Sequence, residues 1–274
     1  MVQDILVRNN VKVFGKGTRP LLFAHGFGCD QNMWRFITPA FQDEYRIVLF
    51  DYVGCGKSDR NAYTAEHYSS LNGYAQDVLD ICAALELEDI SFVGHSVSSM
   101  IGVLASLQEP KRFKDLILVA PSPCYLNDRH GYEGGFEQAD IVELLDLMAK
   151  NYLGWASFLA PVAMQNPECP ELARELEESF CSTDPVTIRQ FAEVTFFADN
   201  RSDLPWVNVP SLLLQCSEDA LAPLSVGEYL CCHLPSSTLR VMKATGHCPH
   251  MSHPEETIRL IQEYLRTTAV RQCG

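Results

Sequence analysis

Positive charge is scarce in this chain: 21 lysines and arginines stand against 35 aspartates and glutamates, a formal net charge of −14 over 274 residues. That balance argues against nucleic acid or an anionic membrane surface as the main partner. Long hydrophobic runs are also missing. Nothing approaches the roughly 20 apolar residues that span a bilayer, and Met1-Val2-Gln3-Asp4 opens with neither a basic region nor a long apolar core, so no secretory leader is expected. The 11 cysteines are odd in number, form no CxxC pair and have no histidines at zinc-ligand spacing. They predict reduced thiols, a cytoplasmic location and no bound metal. Internal repeats and low-complexity linkers are lacking as well.

Three motif fragments are incomplete. "DYVGCGKSD" resembles a phosphate-binding loop at Gly56-Lys57-Ser58, but that loop needs glycine five residues before Gly56, where the chain has Asp51. The same stretch fails the dinucleotide fingerprint at its last glycine. "GHCPHMSH" offers three histidines, but no pair at i, i+4 with a carboxylate. No cofactor is therefore expected.

What is present is an ordinary globular composition, 47% hydrophobic and 20% charged, able to bury a sizeable core. Eight runs read as strands: "DILVRN", "VKVFG", "PLLFAHG", "RIVLFD", "ISFVG", "LILVA", "PSLLLQC" and "STLRVM". The inner ones are short, continuous and rich in leucine or β-branched residues, as strands buried on both faces are. Amphipathic stretches alternate with them. "LNGYAQDVLDICAALEL" sets Leu71, Tyr74, Ala75, Val78, Cys82 and Leu85 on one stripe, and "PEETIRLIQEYL" does the same with Ile258, Ile261 and Leu265. The alternation predicts an α/β fold with a mostly parallel eight-stranded sheet flanked by helices. It breaks between about Cys124 and Asn200, where helical stretches near 136–150, 152–165, 170–181 and 185–198 follow one another. Pro170 and Asp184-Pro185 mark the starts of the last two. This insertion predicts a four-helix cap over the sheet's C-terminal edge, where open parallel sheets bind ligands. The expected organisation is core 1–123, cap 124–200 and core 201–274.

The chemistry is carried by "ISFVGHSVSSMIGVLAS". Ser96 stands between a strand and a helix that starts near Val97, the setting of a nucleophile elbow, although Ser98 occupies the fifth position where the usual pattern has glycine. A serine hydroxyl needs a base, and the base needs an acid to orient it, in the chain order serine, acid, histidine. "PSLLLQCSEDALAP" supplies Asp219, with Glu218 as rival. "STLRVMKATGHCPH" supplies His247, with His250 and His253 as rivals deeper in the next loop. "FAHGFGCD" turns sharply at His25-Gly26, so the N–H of Phe27 can serve the oxyanion together with that of Val97.

These residues resemble the α/β-hydrolase superfamily, and within it the branch of the bacterial stress-regulator hydrolase RsbQ and the plant karrikin and strigolactone receptor hydrolases. "FAHGFGCDQNMW", "LFDYVGCGKSD", "GYAQDVLD", "SPCYLND", "GGFEQ", "FCSTDP" and "GHCPHMSHPEET" carry the likeness over nearly the whole chain. "GHSVSSM" is similar to the plant receptors, which makes Ser98 a feature of the branch. The resemblance implies Ser96, Asp219 and His247 as a triad and Phe27 and Val97 as oxyanion donors. It also implies a small apolar pocket under the cap, with Phe27, Phe136, Trp155, Leu159 and Phe196 at lining positions. The expected activity is hydrolysis of a small apolar ester or lactone in a signalling or stress-regulatory role, through a partner protein that would be of phosphatase type in a bacterium. A metabolic carboxylesterase without a partner and a ligand-binding receptor with little turnover remain open alternatives.

Overall fold

The computed structural model describes residues 4–271. Residues 1–3 and 272–274, which fall within the expected core segments, lie outside them. Seven strands form one sheet: β1 (Lys12–Phe14), β2 (Arg19–Ala24), β3 (Tyr45–Leu49), β4 (Ile90–His95), β5 (Phe113–Val119), β6 (Ser211–Glu218) and β7 (Ser237–Thr245). Their order is β1-β3-β2-β4-β5-β6-β7, with β1 antiparallel to β3 and every other pairing parallel. The helices are α1 (Ile5–Arg8), α2 (Leu71–Ala84), α3 (Val97–Gln108), α4 (Gln138–Lys150), α5 (Tyr152–Met164), α6 (Pro170–Ser182), α7 (Pro185–Phe196), α8 (Leu224–His233), α9 (Pro249–Ser252) and α10 (Pro254–Arg271).

The expected eight strands become seven because "DILVRN" folds as α1. The Asp4 side chain caps this short helix by accepting from the N–H of Leu6. Arg8 then reaches Asp77 and Asp80 on α2 at 2.9 and 3.1 Å, and the Asn9 side chain binds the Asp51 carbonyl and Asp77. Anchoring by ion pairs to α2 outweighs the strand-like apolar pattern.

The central strands are buried along almost their whole length; every residue of β4 is, as is β2 after Arg19. Helices cover both faces, so these strands read as unbroken apolar runs instead of alternating ones. Between β5 and β6 lie α4 to α7, close to the four expected helical stretches. The Asp184 carboxylate accepts from the N–H groups of Val186 and Thr187, which starts α7, and Pro170 occupies the first turn of α6.

Because β2, β4, β5, β6 and β7 run in parallel, their C-terminal ends share one edge of the sheet. The residues that follow them are His25-Gly26-Phe27, Ser96, the 120–125 loop, Asp219 and Gly246-His247.

Candidate active site

Ser96 joins β4 to α3 with φ 56° and ψ −122°, a left-handed conformation that costs a non-glycine residue about 1–3 kcal/mol. The turn is held by Ser96 N–H to the Val119 carbonyl at 2.8 Å and by Ser99 N–H to the Ser96 carbonyl at 2.9 Å. Strand and helix approach closely because position 94 is glycine: a Cβ there would stand 2.5 Å from the Ser98 carbonyl oxygen. The result lifts the Ser96 side chain off the sheet edge.

His247 Nε2 is 2.7 Å from Ser96 Oγ, and His247 Nδ1 is 2.8 Å from Asp219 Oδ2. The carboxylate can only accept, so Nδ1 carries the proton and Nε2 is left to accept from the serine hydroxyl. The other carboxylate oxygen of Asp219 takes the N–H groups of Leu221 and Ala222, at 2.8 and 3.1 Å, which fixes its plane. Glu218, the rival acid, has an exposed side chain; its backbone carbonyl accepts from Gly246 N–H and so spaces the two loops. The histidine loop is held from the helical side as well, since His247 N–H donates to the Ala163 carbonyl at the end of α5 at 2.7 Å.

Three further histidines surround this group, and all are fully buried: His25, His95 and His250. Burial lowers each of their pKa values, that of His250 to about 3. They are neutral near pH 7 and bring no positive charge to this group. His95 Nε2 donates to the His247 carbonyl at 2.7 Å. His250 lies against the Trp34 ring with centroids 4.6 Å apart. His253 is partly exposed and its Nδ1 is 2.9 Å from Ser252 Oγ. No group of three metal-ligating side chains occurs among the described residues.

The N–H groups of Phe27 and Val97 make no intramolecular hydrogen bond among the described residues. Both follow strand ends beside Ser96, and both remain free to donate to a substrate oxygen.

Above Ser96 is a narrow apolar cavity of about 30 Å³. Of the expected lining residues, Phe27, Leu159 and Phe196 face it. Trp155 and Phe136 stand one layer back. Trp155 meets the Phe27 ring edge-on at 6.1 Å and stacks on Tyr152, while the Phe136 ring is 6.3 Å from that of Phe196. The cavity wall instead includes Phe180, Cys29, Cys248 and Tyr125.

Tyr125 is a group beside Ser96 that the sequence reasoning missed. Its hydroxyl is 3.1 Å from Ser96 Oγ. The serine proton is directed at His247, so the tyrosine is the donor. Burial pushes its pKa up to about 12, which keeps it protonated. The signal was its position: "SPCYLND" follows β5, whose C-terminal end lies on the same edge as Ser96.

Sheet order, elbow and insertion together define an α/β hydrolase, and the chain belongs to that family: residues 21–260 match the "Alpha/beta hydrolase family". Among individual proteins it is similar to the Strigolactone esterase D14 of Arabidopsis thaliana, 37% identical over 263 residues that cover 96% of this chain and 98% of the relative. It is equally similar, 37% over 258 residues, to the Karrikin insensitive 2 receptor CA of Petunia hybrida, covering 94% of this chain and 95% of the relative. The solved structure of a hydrolase from Oleispira antarctica superposes with a TM-score of 0.94 at 44% identity, covering 96% of both chains. No helix among the described residues is long and apolar enough to cross a membrane.

Proposed function

We propose that this chain is a serine hydrolase for a small hydrophobic carboxylic ester or lactone, with Ser96 as nucleophile, His247 as base and then acid, and Asp219 as the group that orients His247. The observation that carries this reading is the continuous relay of hydrogen bonds, 2.7 Å from Ser96 Oγ to His247 Nε2 and 2.8 Å from His247 Nδ1 to Asp219 Oδ2. Ser96 Oγ attacks the carbonyl carbon while its proton passes to Nε2, and the Asp219 carboxylate stabilises the imidazolium. The carbonyl oxygen, now an oxyanion, takes hydrogen bonds from the N–H groups of Phe27 and Val97. Collapse breaks the C–O bond, and His247 returns the proton to the departing alkoxide. A water deprotonated by His247 then releases the acid from Ser96. Each step uses groups of this chain and water alone.

In this reading residues 124–200 are a cap on a core formed by 1–123 and 201–274. The apolar wall of Phe27, Leu159, Phe180 and Phe196 selects a compact ligand without charge. The similarity to plant proteins named as a strigolactone esterase and a karrikin receptor supports a signalling role in which the cap face meets a partner protein. Glu143, Lys150, Arg174 and Glu178 are exposed there. The narrowness of the cavity favours a second reading, a receptor that holds its ligand and turns it over slowly.

A fluorophosphonate probe tests the chemistry. It is expected to label Ser96, and Ser96→Ala should abolish both labelling and hydrolysis of a short p-nitrophenyl ester. Labelling that persists in that variant refutes the assignment. Capture of a partner by the wild type, lost on reversing the four cap charges while hydrolysis continues, separates the signalling role from plain esterase activity.

A further inference from the structure

We infer that Ser98, which stands where the common elbow pattern has glycine, is a positioning residue that fixes the oxyanion loop from below. The inference rests on the hydrolase reading above. Ser98 is on the first turn of α3 and is fully buried. Its hydroxyl donates to the carbonyl oxygen of His25 at 2.5 Å. A carbonyl only accepts, so the serine proton is committed, and the Tyr52 hydroxyl, 2.9 Å away, must donate to Ser98 Oγ. Tyr52 is itself fully buried, three residues beyond the end of β3.

The same loop residue is held by its ring. The N–H of Tyr52 donates to His25 Nε2 at 3.1 Å, which makes that nitrogen the acceptor and places the proton on Nδ1. Nδ1 then donates to the Gly26 carbonyl at 2.9 Å. His25 is thus tied at its carbonyl and at both ring nitrogens, two residues before the N–H of Phe27. The other oxyanion donor, Val97, is the residue just before Ser98. One side chain therefore links the two backbone segments whose N–H groups must converge on a single oxygen, and Tyr52 braces the link from just beyond β3.

Glycine at position 98 is not needed for close approach, because Gly94 already carries that constraint. Position 98 is therefore free to hold a side chain, and a hydroxyl there finds two partners in a site with no water-exposed surface. An alanine would leave the His25 carbonyl and the Tyr52 hydroxyl without this partner and release the loop. An oxyanion donor acts through its placement relative to the transition state, so loss of placement lowers turnover and leaves ground-state binding alone.

The test compares wild type with Ser98→Ala and Tyr52→Phe in four measurements: kcat and KM for a p-nitrophenyl ester, affinity for a trifluoromethyl ketone that forms a tetrahedral adduct, titre of fluorophosphonate-reactive sites, and amide hydrogen exchange across residues 24–30. Removing a whole oxyanion donor costs about 100-fold to 1000-fold in kcat. Loosening one should cost about 10-fold to 100-fold in Ser98→Ala, with KM within about twofold, a parallel loss of ketone affinity and faster exchange in the loop. Tyr52→Phe, which keeps the Ser98 bond to His25, should show a smaller loss of the same kind, and it carries the test should Ser98→Ala not fold. A kcat within about twofold of wild type in a folded Ser98→Ala, or a loss explained entirely by a lower titre of reactive sites, overturns the inference. If the wild type hydrolyses no ester, the hydrolase reading has failed, and loop exchange alone then decides whether Ser98 is the strut.

Discussion

A cavity of about 30 Å³ holds a water or two, whereas ligand sites commonly need about 300 Å³ or more. On the proposed hydrolase reading, an ester would need the helices over this cavity, α5 and α6, to move outward before it could reach Ser96. Several contacts tie α6 to the core, among them Arg60 donating to the Ser182 carbonyl at 2.9 Å and the Phe180 ring against Phe27, and two more carry side-chain hydrogen bonds near the cavity. Arg35 grips Glu175 through Nη1 and Nη2 at 2.6 Å each, and Ser179 Oγ donates to the Gly28 carbonyl at 2.8 Å. The ion pair can be weakened without touching the site. Its side chains are 31% and 35% exposed, so the pair contributes about 1 kcal/mol, the upper end for partly solvated pairs. Glu175→Gln should then raise the open population about fivefold, since 1 kcal/mol is roughly that factor in an equilibrium constant. The assay is the second-order rate of Ser96 labelling by a fluorophosphonate, which tracks opening when closure is fast. It should rise about fivefold, while Tm falls by only about 2 °C for a chain of this size. Salt supplies the internal control. Raising it from ~0.05 to ~0.5 M shortens the screening length severalfold and should speed labelling of wild type but not of Glu175→Gln. Equal rates in the two proteins, with no salt response in wild type, would refute the idea that this pair latches the cavity.

Four other outcomes are expected. Asp219→Asn should cost on the order of 10⁴ in kcat by disturbing the imidazole tautomer, while Glu218→Gln, whose side chain is exposed, should be silent; steady-state kinetics would expose a reversal. Tyr125→Phe should lower kcat about tenfold through loss of one hydrogen bond to Ser96 Oγ, and leave the pH–rate profile unchanged up to about pH 10, because burial keeps that phenol protonated up to about pH 12. Gly94→Ala should destabilise by about 3 kcal/mol or more, read as a fall in denaturant midpoint, since the new Cβ would stand 2.5 Å from the Ser98 carbonyl and 2.7 Å from the Phe92 ring. Chelators should leave turnover unchanged, and activity lost to a chelator and restored by zinc would contradict the metal-free scheme.

Strand ends and their loops were legible because buried parallel strands announce themselves as short apolar runs. Ser96, Asp219 and His247 each follow such a run, and the parallel sheet brings the three within hydrogen-bonding reach. The helical insertion was legible from its capping residues, Asp184 with Pro185 above all. The first helix was not, because "DILVRN" has the composition of a strand. Its state is decided by Arg8 reaching carboxylates 69 and 72 residues away. The depth of the aromatic wall was not legible either. Trp155 and Phe136 belong to the right helix and loop, but helical periodicity assigns a face and cannot say which ring touches a ligand and which supports it from behind. Tyr125 was missed because a single tyrosine in a loop has no pattern; only the shared sheet edge gives it a target. The Arg35–Glu175 pair, 140 residues apart, has no sequence signature at all.

The bond from His247 N–H to the Ala163 carbonyl bears on how separable the parts of this protein are. α5 also supports the His247 loop: Gly246 passes so near its end that a Cβ would lie 2.1 Å from the Met164 carbonyl, and the Asn166 side chain donates to the Thr245 carbonyl at 3.0 Å. The end of α5 and the His247 loop are therefore packed as one piece. Exchanging residues 124–200 wholesale with those of a relative would replace the surface on which the histidine loop is moulded. Grafts that respect this join must leave residues 163–166 with the core, whatever boundary the strand and helix pattern draws.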